Sequence, residues 1–350
     1  MKKISKLFWL ALLLAVAAAF AAGCGQDKSA RQLKVYNWGD YIDPDVVKDF
    51  EKETGIKVIY DTFATNEDMY VKIKSGGSDY DVAIPSDYMI KRMIDEDLVE
   101  KIDMQNIKNY ANIDGRFKNL GYDPKNEYSV PYMWGTVGIV YNKKMVTEPV
   151  DSWSILWNPK YEKQILMLDS PRDSIGITLK YLGYSLNTKN DREIEQAKAK
   201  LIEQKPLVLA YVVDEVKDKM VAGEAAMAVV WSGDAVFIKG ENPDIEYAVP
   251  KEGSNLWFDA AVIIKGAKNK KEAEEFIDYL ARPDVSAKNA EYIGYSTPIT
   301  KAKEMLGEEV QNDKAAYPDD ASLVGLEVFE DLASIIEKYD KAWTEIKAAR

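Results

Sequence analysis

Past residue 32 the apolar positions alternate in short runs, then recur at helical spacing, and the two patterns trade places along the chain. Leu33 to Asn37 reads as a strand. Asp43-Pro44 is an N-cap followed by proline at the first helical position, opening a helix over Val46 to Glu53 that Gly55 stops. Lys57 to Asp61 is a second strand, Glu67 to Ser75 a helix closed by Gly76-Gly77, and Asp81 to Pro85 a third strand. Strand, helix, strand, helix, strand implies a parallel sheet with right-handed crossovers, whose ligands sit beyond the carboxyl ends of the strands. Those ends carry Trp38-Gly39-Asp40-Tyr41 and Ser86-Asp87-Tyr88, which therefore converge on one crevice.

After Pro131 a second α/β unit is expected. Thr136 to Tyr141 reads as its first strand, and Ile165 to Asp169 as another, running into Asp169-Ser170-Pro171-Arg172-Asp173. Helices follow over Ile175 to Ser185, Glu193 to Gln204 and Asp214 to Ala222, with strands at Ala225 to Trp231 and Ile245 to Pro250. Leu256 to Ile264 is apolar enough for a buried strand, expected to return to the first unit ahead of a helix over Lys271 to Leu280. Leu332, Ile335, Ile336 and Tyr339 form one stripe of a terminal helix over Leu332 to Lys347. The fold class is α/β with two lobes, each a mostly parallel sheet flanked by helices, joined by two crossing segments. Residues 33–134 plus 255–300 make the first lobe, and 135–254 plus 301–350 the second.

The first residues are an address. Lys2, Lys3 and Lys6 precede an apolar run from Leu7 to Ala22. That is a secretory signal over residues 1–23, its apolar run of 16 residues shorter than the roughly 20 that span a bilayer. Ala21-Ala22-Gly23-Cys24 has the form of a bacterial lipobox, with Ala21 where Leu is commoner. Cys24 is then the lipidated first residue of the mature chain, and polar residues 24–32 are a flexible tether.

Composition narrows the chemistry. The chain has no histidine and one cysteine, which removes imidazole acid/base work, Ser-His-Asp triads, histidine zinc sites and intramolecular disulfides. Its formal net charge of −12 argues against nucleic acid and favours cationic ligands. Aromatic and acidic residues share the predicted strand ends: Trp38, Asp40 and Tyr41; Ser86 and Tyr88; Asp169 and Asp173; Trp231, with Asp234 just behind; Trp257 and Asp259; Tyr295. Singly, each has an ordinary explanation, the tryptophans as packing and the aspartates as helix or turn caps. Jointly they suit a slender organic polycation, with carboxylates answering its charges and flat rings covering its methylenes.

The chain resembles the extracytoplasmic spermidine/putrescine-binding proteins of ABC importers, a branch of the type II periplasmic-binding-protein fold. The carriers are Tyr36-Asn37-Trp38-Gly39-Asp40-Tyr41-Ile42, Tyr80 to Ser86 with Tyr88, Pro131-Tyr132-Met133-Trp134-Gly135-Thr136, Trp231-Ser232-Gly233-Asp234-Ala235, Trp257-Phe258-Asp259 and Ile293 to Pro298. By this resemblance the ligand residues are Trp38, Tyr41, Ser86, Tyr88, Asp173, Trp231, Trp257, Asp259 and Tyr295; Asp40 and Asp169 from the strand ends and Glu330 complete a candidate set of twelve. Three departures alter the balance between spermidine and putrescine. Asp169-Ser170 and Pro171-Arg172-Asp173 replace paired aspartates before an Ala-Arg-Glu triplet. Gly39-Asp40 stands for a hydroxyl residue and glutamate, and Phe329 or Glu330 meets a glutamine. The resemblance implies a monomeric receptor, lipid-anchored outside the cytoplasm, that passes a polyamine to a membrane permease without catalysis, cofactor or metal. The rivals are another organic cation or a basic amino acid on the same fold, with Arg172 for its carboxylate. A secreted glycosidase using Asp169 with Asp173 or Asp259, and an adhesin or signalling receptor, are further rivals. Arg172 is expected to orient Asp173 or Asp169.

Overall fold

Ten strands carry the sheet: β1 (Gln32–Trp38), β2 (Lys57–Phe63), β3 (Val82–Ala83), β4 (Val99–Glu100), β5 (Ser129–Asn142), β6 (Ile165–Leu168), β7 (Val208–Val212), β8 (Met227–Trp231), β9 (Ile245–Ala248) and β10 (Leu256–Ile264). The structure is a computed structural model that describes residues 31–76 and 79–349. The signal segment, Cys24, most of the tether and Gly77 lie outside the described residues. Strand order is β2-β1-β3-β10-β5-β8-β6-β7, with β4 on β10 and β9 on β5. β1 is parallel to β2 and β3, as the alternation of strands and helices predicts, and β6 is parallel to β7 and β8.

β5 and β10 run antiparallel between these two parallel groups. β10 has the predicted boundaries and pairs with β3. β5 corrects the reading of a fresh strand at Thr136: it is one strand of 14 residues, pairing β10 over Ser129 to Thr136 and β8 over Val137 to Tyr141. Pro131 looked like a break, but it lies opposite Ala260, where the register slips between Asp259 and Ala260. A bulge leaves ladder positions unpaired, so the missing proline N–H costs little there.

Helix starts follow their caps. Asp43 caps Pro44–Thr54 through Asp45 N–H, and Gly55 ends it at φ 71°. Ser170 caps a helix over Pro171–Tyr181, four residues earlier than Ile175, because Ser-Pro-x-Asp supplies a cap, a proline at the first position and an acid in the first turn. The helices Asp87–Asp95, Ser232–Glu241 and Pro283–Ile293 were not anticipated, since the first two open inside segments read as ligand loops. The terminal helix begins at Ile336, with Leu332 buried ahead of it. The tether also ends earlier than residue 32. Gln32 opens β1, and Arg31 is held by Glu272 and Glu275.

Candidate functional site

The carboxyl ends of β1, β6 and β8 face one cavity of about 940 Å³, its mouth included. β1 delivers Trp38, whose indole Nε1 donates to Ile84 O at 2.8 Å while its ring tilts against Phe63. Tyr41 follows and donates its hydroxyl to Asp259 Oδ2 at 2.8 Å. Ser86 precedes the helix Asp87–Asp95, and Tyr88 in that helix's first turn donates to Glu67 Oε1 at 2.9 Å. β6 leads to Asp169 and, through the Ser170 cap, to Asp173; β8 ends at Trp231. Trp257 and Asp259 lie two apart on β10, so both face the cavity. Tyr295 stands between Tyr41 and Trp257, edge-to-face with each at centroid distances of 5.3 and 5.4 Å.

Eleven of the twelve residues named from the sequence thus line one cavity, and Glu330 does not. Phe329 and Glu330 are consecutive in a segment without regular secondary structure. Phe329 turns inward beneath the Arg172 guanidinium, 4.3 Å from ring centroid to Cζ, and Glu330 faces a separate groove beside Lys91. Arg172 departs from expectation as well. It donates to Glu330 O at 3.1 Å and Asn187 Oδ1 at 3.2 Å, and forms a hydrogen bond with neither Asp173 nor Asp169.

The acids differ in what they already hold. Asp169 accepts from Lys347 Nζ at 2.8 Å and Asp40 from Lys217 Nζ at 2.6 Å. Asp173 and Asp259 are buried, each with one oxygen bonded, to the Ser170 and Tyr41 hydroxyls, and with Oδ1 lacking any partner among the described residues. A buried carboxylate oxygen without a donor is costly unless something cationic arrives.

The match of this architecture to known proteins is extensive. A family model described as bacterial extracellular solute-binding protein covers residues 45–318. The chain belongs to that family. This solute-binding protein is 37% identical over 341 residues to a spermidine/putrescine-binding periplasmic protein of Salmonella typhimurium, covering 97% of this chain and 98% of the relative. It superposes on a putative spermidine/putrescine ABC transporter from Listeria monocytogenes with TM-score 0.89 and 46% identity, over 91% of this chain and 100% of the other. The spermidine/putrescine ABC transporter substrate-binding protein of Streptococcus pneumoniae follows at TM-score 0.78 and 45% identity, over 91% and 98%.

Burial pushes the carboxyls of this solute-binding protein upward: Asp259 and Asp234 to about 7 and Asp173 to about 6. Asp87, which accepts from Tyr88 N and Phe258 N, rises to about 8, again through burial. A carboxyl raised on folding stabilises the protein fully below its unfolded value near 4, and that contribution is lost as pH rises through 6 to 8. The ligand-free protein is therefore expected to melt at a higher temperature at pH 5.5 than at pH 8. Differential scanning calorimetry checks this, and a higher melting temperature at pH 8 would contradict it.

Several lining residues were not read from the sequence. Asn255 continues the two-residue period of Trp257 and Asp259 and was within reach of that signal. Glu67, Asp214 and Lys217 lie on surface-like polar stretches, and nothing local marks them as lining a cavity.

Proposed function

We propose that this protein is the substrate-binding component of an ABC importer for polyamines, taking spermidine or putrescine into the cavity and delivering it to the permease. The supporting observation is the pair of buried, unpartnered oxygens on Asp173 and Asp259 within walls of Trp38, Tyr41, Tyr88, Trp231, Trp257 and Tyr295. Ammonium groups answer the first and methylenes lie against the second. The printed names of the relatives agree with this ligand class.

In this reading residues 33–134 plus 255–300 and residues 135–254 plus 301–350 act as two lobes that close on the ligand. Asp259 and Tyr41 come from one lobe and Asp173 and Trp231 from the other, so ligand binds the closed form better and shifts the population toward it. Asp40 and Asp169, each paired to a lysine, serve the rim. Cys24 carries the lipid anchor outside the cytoplasm, the receptor is a monomer, and it catalyses nothing.

One observation favours a second ligand class. Arg172 and Trp257 are lining residues whose buried Nε and Nε1 have no acceptor among the described residues, and a fully protonated polyamine has none to offer. A basic amino acid would bring a carboxylate to them. Titration calorimetry of the full chain with spermidine, putrescine, spermine and arginine separates the two. Micromolar or tighter binding of spermidine or putrescine, about −8 kcal/mol, is the expected result. Heat from arginine alone would overturn the polyamine reading.

A further inference from the structure

The cavity already contains an ammonium group. Lys217, on the short helix Val216–Val221, lines it and places Nζ 2.6 Å from Asp40 Oδ2. The lysine side chain is 16% exposed and its partner 68%, so the buried member of this pair is the cation. Its Nζ stands 5.8 Å from the centroid of the Phe237 ring. Asp214 and Asp234 also act on it. Contact between the two segments is close enough that a Cβ on Gly39 would lie 2.8 Å from Asp214 Oδ2.

The acids of the cavity fall into two groups. Asp40, paired to Lys217, and Asp214 and Asp234, whose charges act on it, form one group. Asp173 and Asp259 act on each other and keep their unpartnered oxygens. Arg172 acts on Asp173 through its charge but makes no hydrogen bond to either acid; its two terminal nitrogens go to Glu330 O and Asn187, and its guanidinium lies over Phe329.

We propose that Lys217 is a specificity-determining residue: it fills one cation position of the cleft from within, so that the ligand needs to answer only the Asp173 and Asp259 acids. This rests on the polyamine reading. A diamine satisfies that demand, whereas each further amine of a triamine or tetraamine meets acids whose charge Lys217 already offsets in part, and is repelled by Lys217 itself. Substituting Lys217 by a neutral residue frees Asp40, Asp214 and Asp234 for a ligand amine.

The test is titration calorimetry of the full chain in detergent, as wild type, Lys217→Gln and Lys217→Arg, with putrescine, spermidine and spermine at one salt concentration. In Lys217→Gln the affinity ratio of spermidine to putrescine is expected to rise at least about tenfold, and that of spermine to putrescine further. Lys217→Arg, which keeps the charge, retains the wild-type ratios. An unchanged ratio in Lys217→Gln, with the melting temperature of the wild type, overturns the proposal. So does an equal shift in both variants. Absence of polyamine binding in the wild type is a separate result, which removes the polyamine reading and this inference with it. A loss of all affinity confined to Lys217→Gln would make the lysine a structural support and also overturn the proposal.

Discussion

Asp259→Ala is expected to lose about 2 to 5 kcal/mol of polyamine binding, the range for truncating one partner of a buried charge pair. The loss comes from Oδ1, which has no hydrogen-bond donor among the described residues, and from Oδ2, whose bond fixes the Tyr41 hydroxyl. The effect on the empty protein has a different sign. At pH 8 the buried carboxylate is ionised and unpaired, its ordinary value raised to about 7 by desolvation, so removing it relieves a cost. Calorimetric titration should therefore show a large loss of affinity while the ligand-free melting temperature at pH 8 does not fall in proportion. Equal losses in both would mean that Asp259 acts through the fold, and an unchanged dissociation constant would remove it from the site.

Gly233→Ala is the second large effect, and its sign is diagnostic. Gly233 lies in the first turn of the helix Ser232–Glu241, and in an open helix position alanine would gain up to about 1 kcal/mol over glycine. Here the new Cβ would run into the Tyr295 ring at Cγ. That ring cannot yield freely, because Tyr41 and Trp257 pack on it edge-to-face and Tyr41 is tied to Asp259. Overpacking typically costs about 1 to 3 kcal/mol, so the steric term outweighs the propensity term. The variant is expected to melt below the wild type and to bind polyamine about tenfold or more weakly, through displacement of an aromatic wall rather than loss of charge. A variant more stable than the wild type would show that Tyr295 does not pack against Gly233.

What the sequence alone determined was whatever depends on neighbours a few residues away. Asp43-Pro44 and Gly55 bound a helix, the two-residue period brings Trp257 and Asp259 to one face, and the strand–helix alternation makes β1, β2 and β3 parallel. These are properties of backbone dihedrals and local caps. The joint appearance of aromatics and acids at strand ends was legible for the same reason, and all twelve of its residues, Asp234 included, line one cavity.

Only the tertiary structure decided which acids remain free for a ligand. Lys347 reaches Asp169 and Lys217 reaches Asp40 across 178 and 177 residues of sequence, while no lysine among the described residues reaches the Oδ1 atoms of Asp173 or Asp259. It also decided that Pro131 could sit inside a strand, since pairing with β10 leaves a bulge at Tyr132 beside it, and that Phe329 rather than Glu330 lines the cavity. Each of these outcomes is a pairing between distant segments, where the free energy depends on distance and burial that no local pattern encodes.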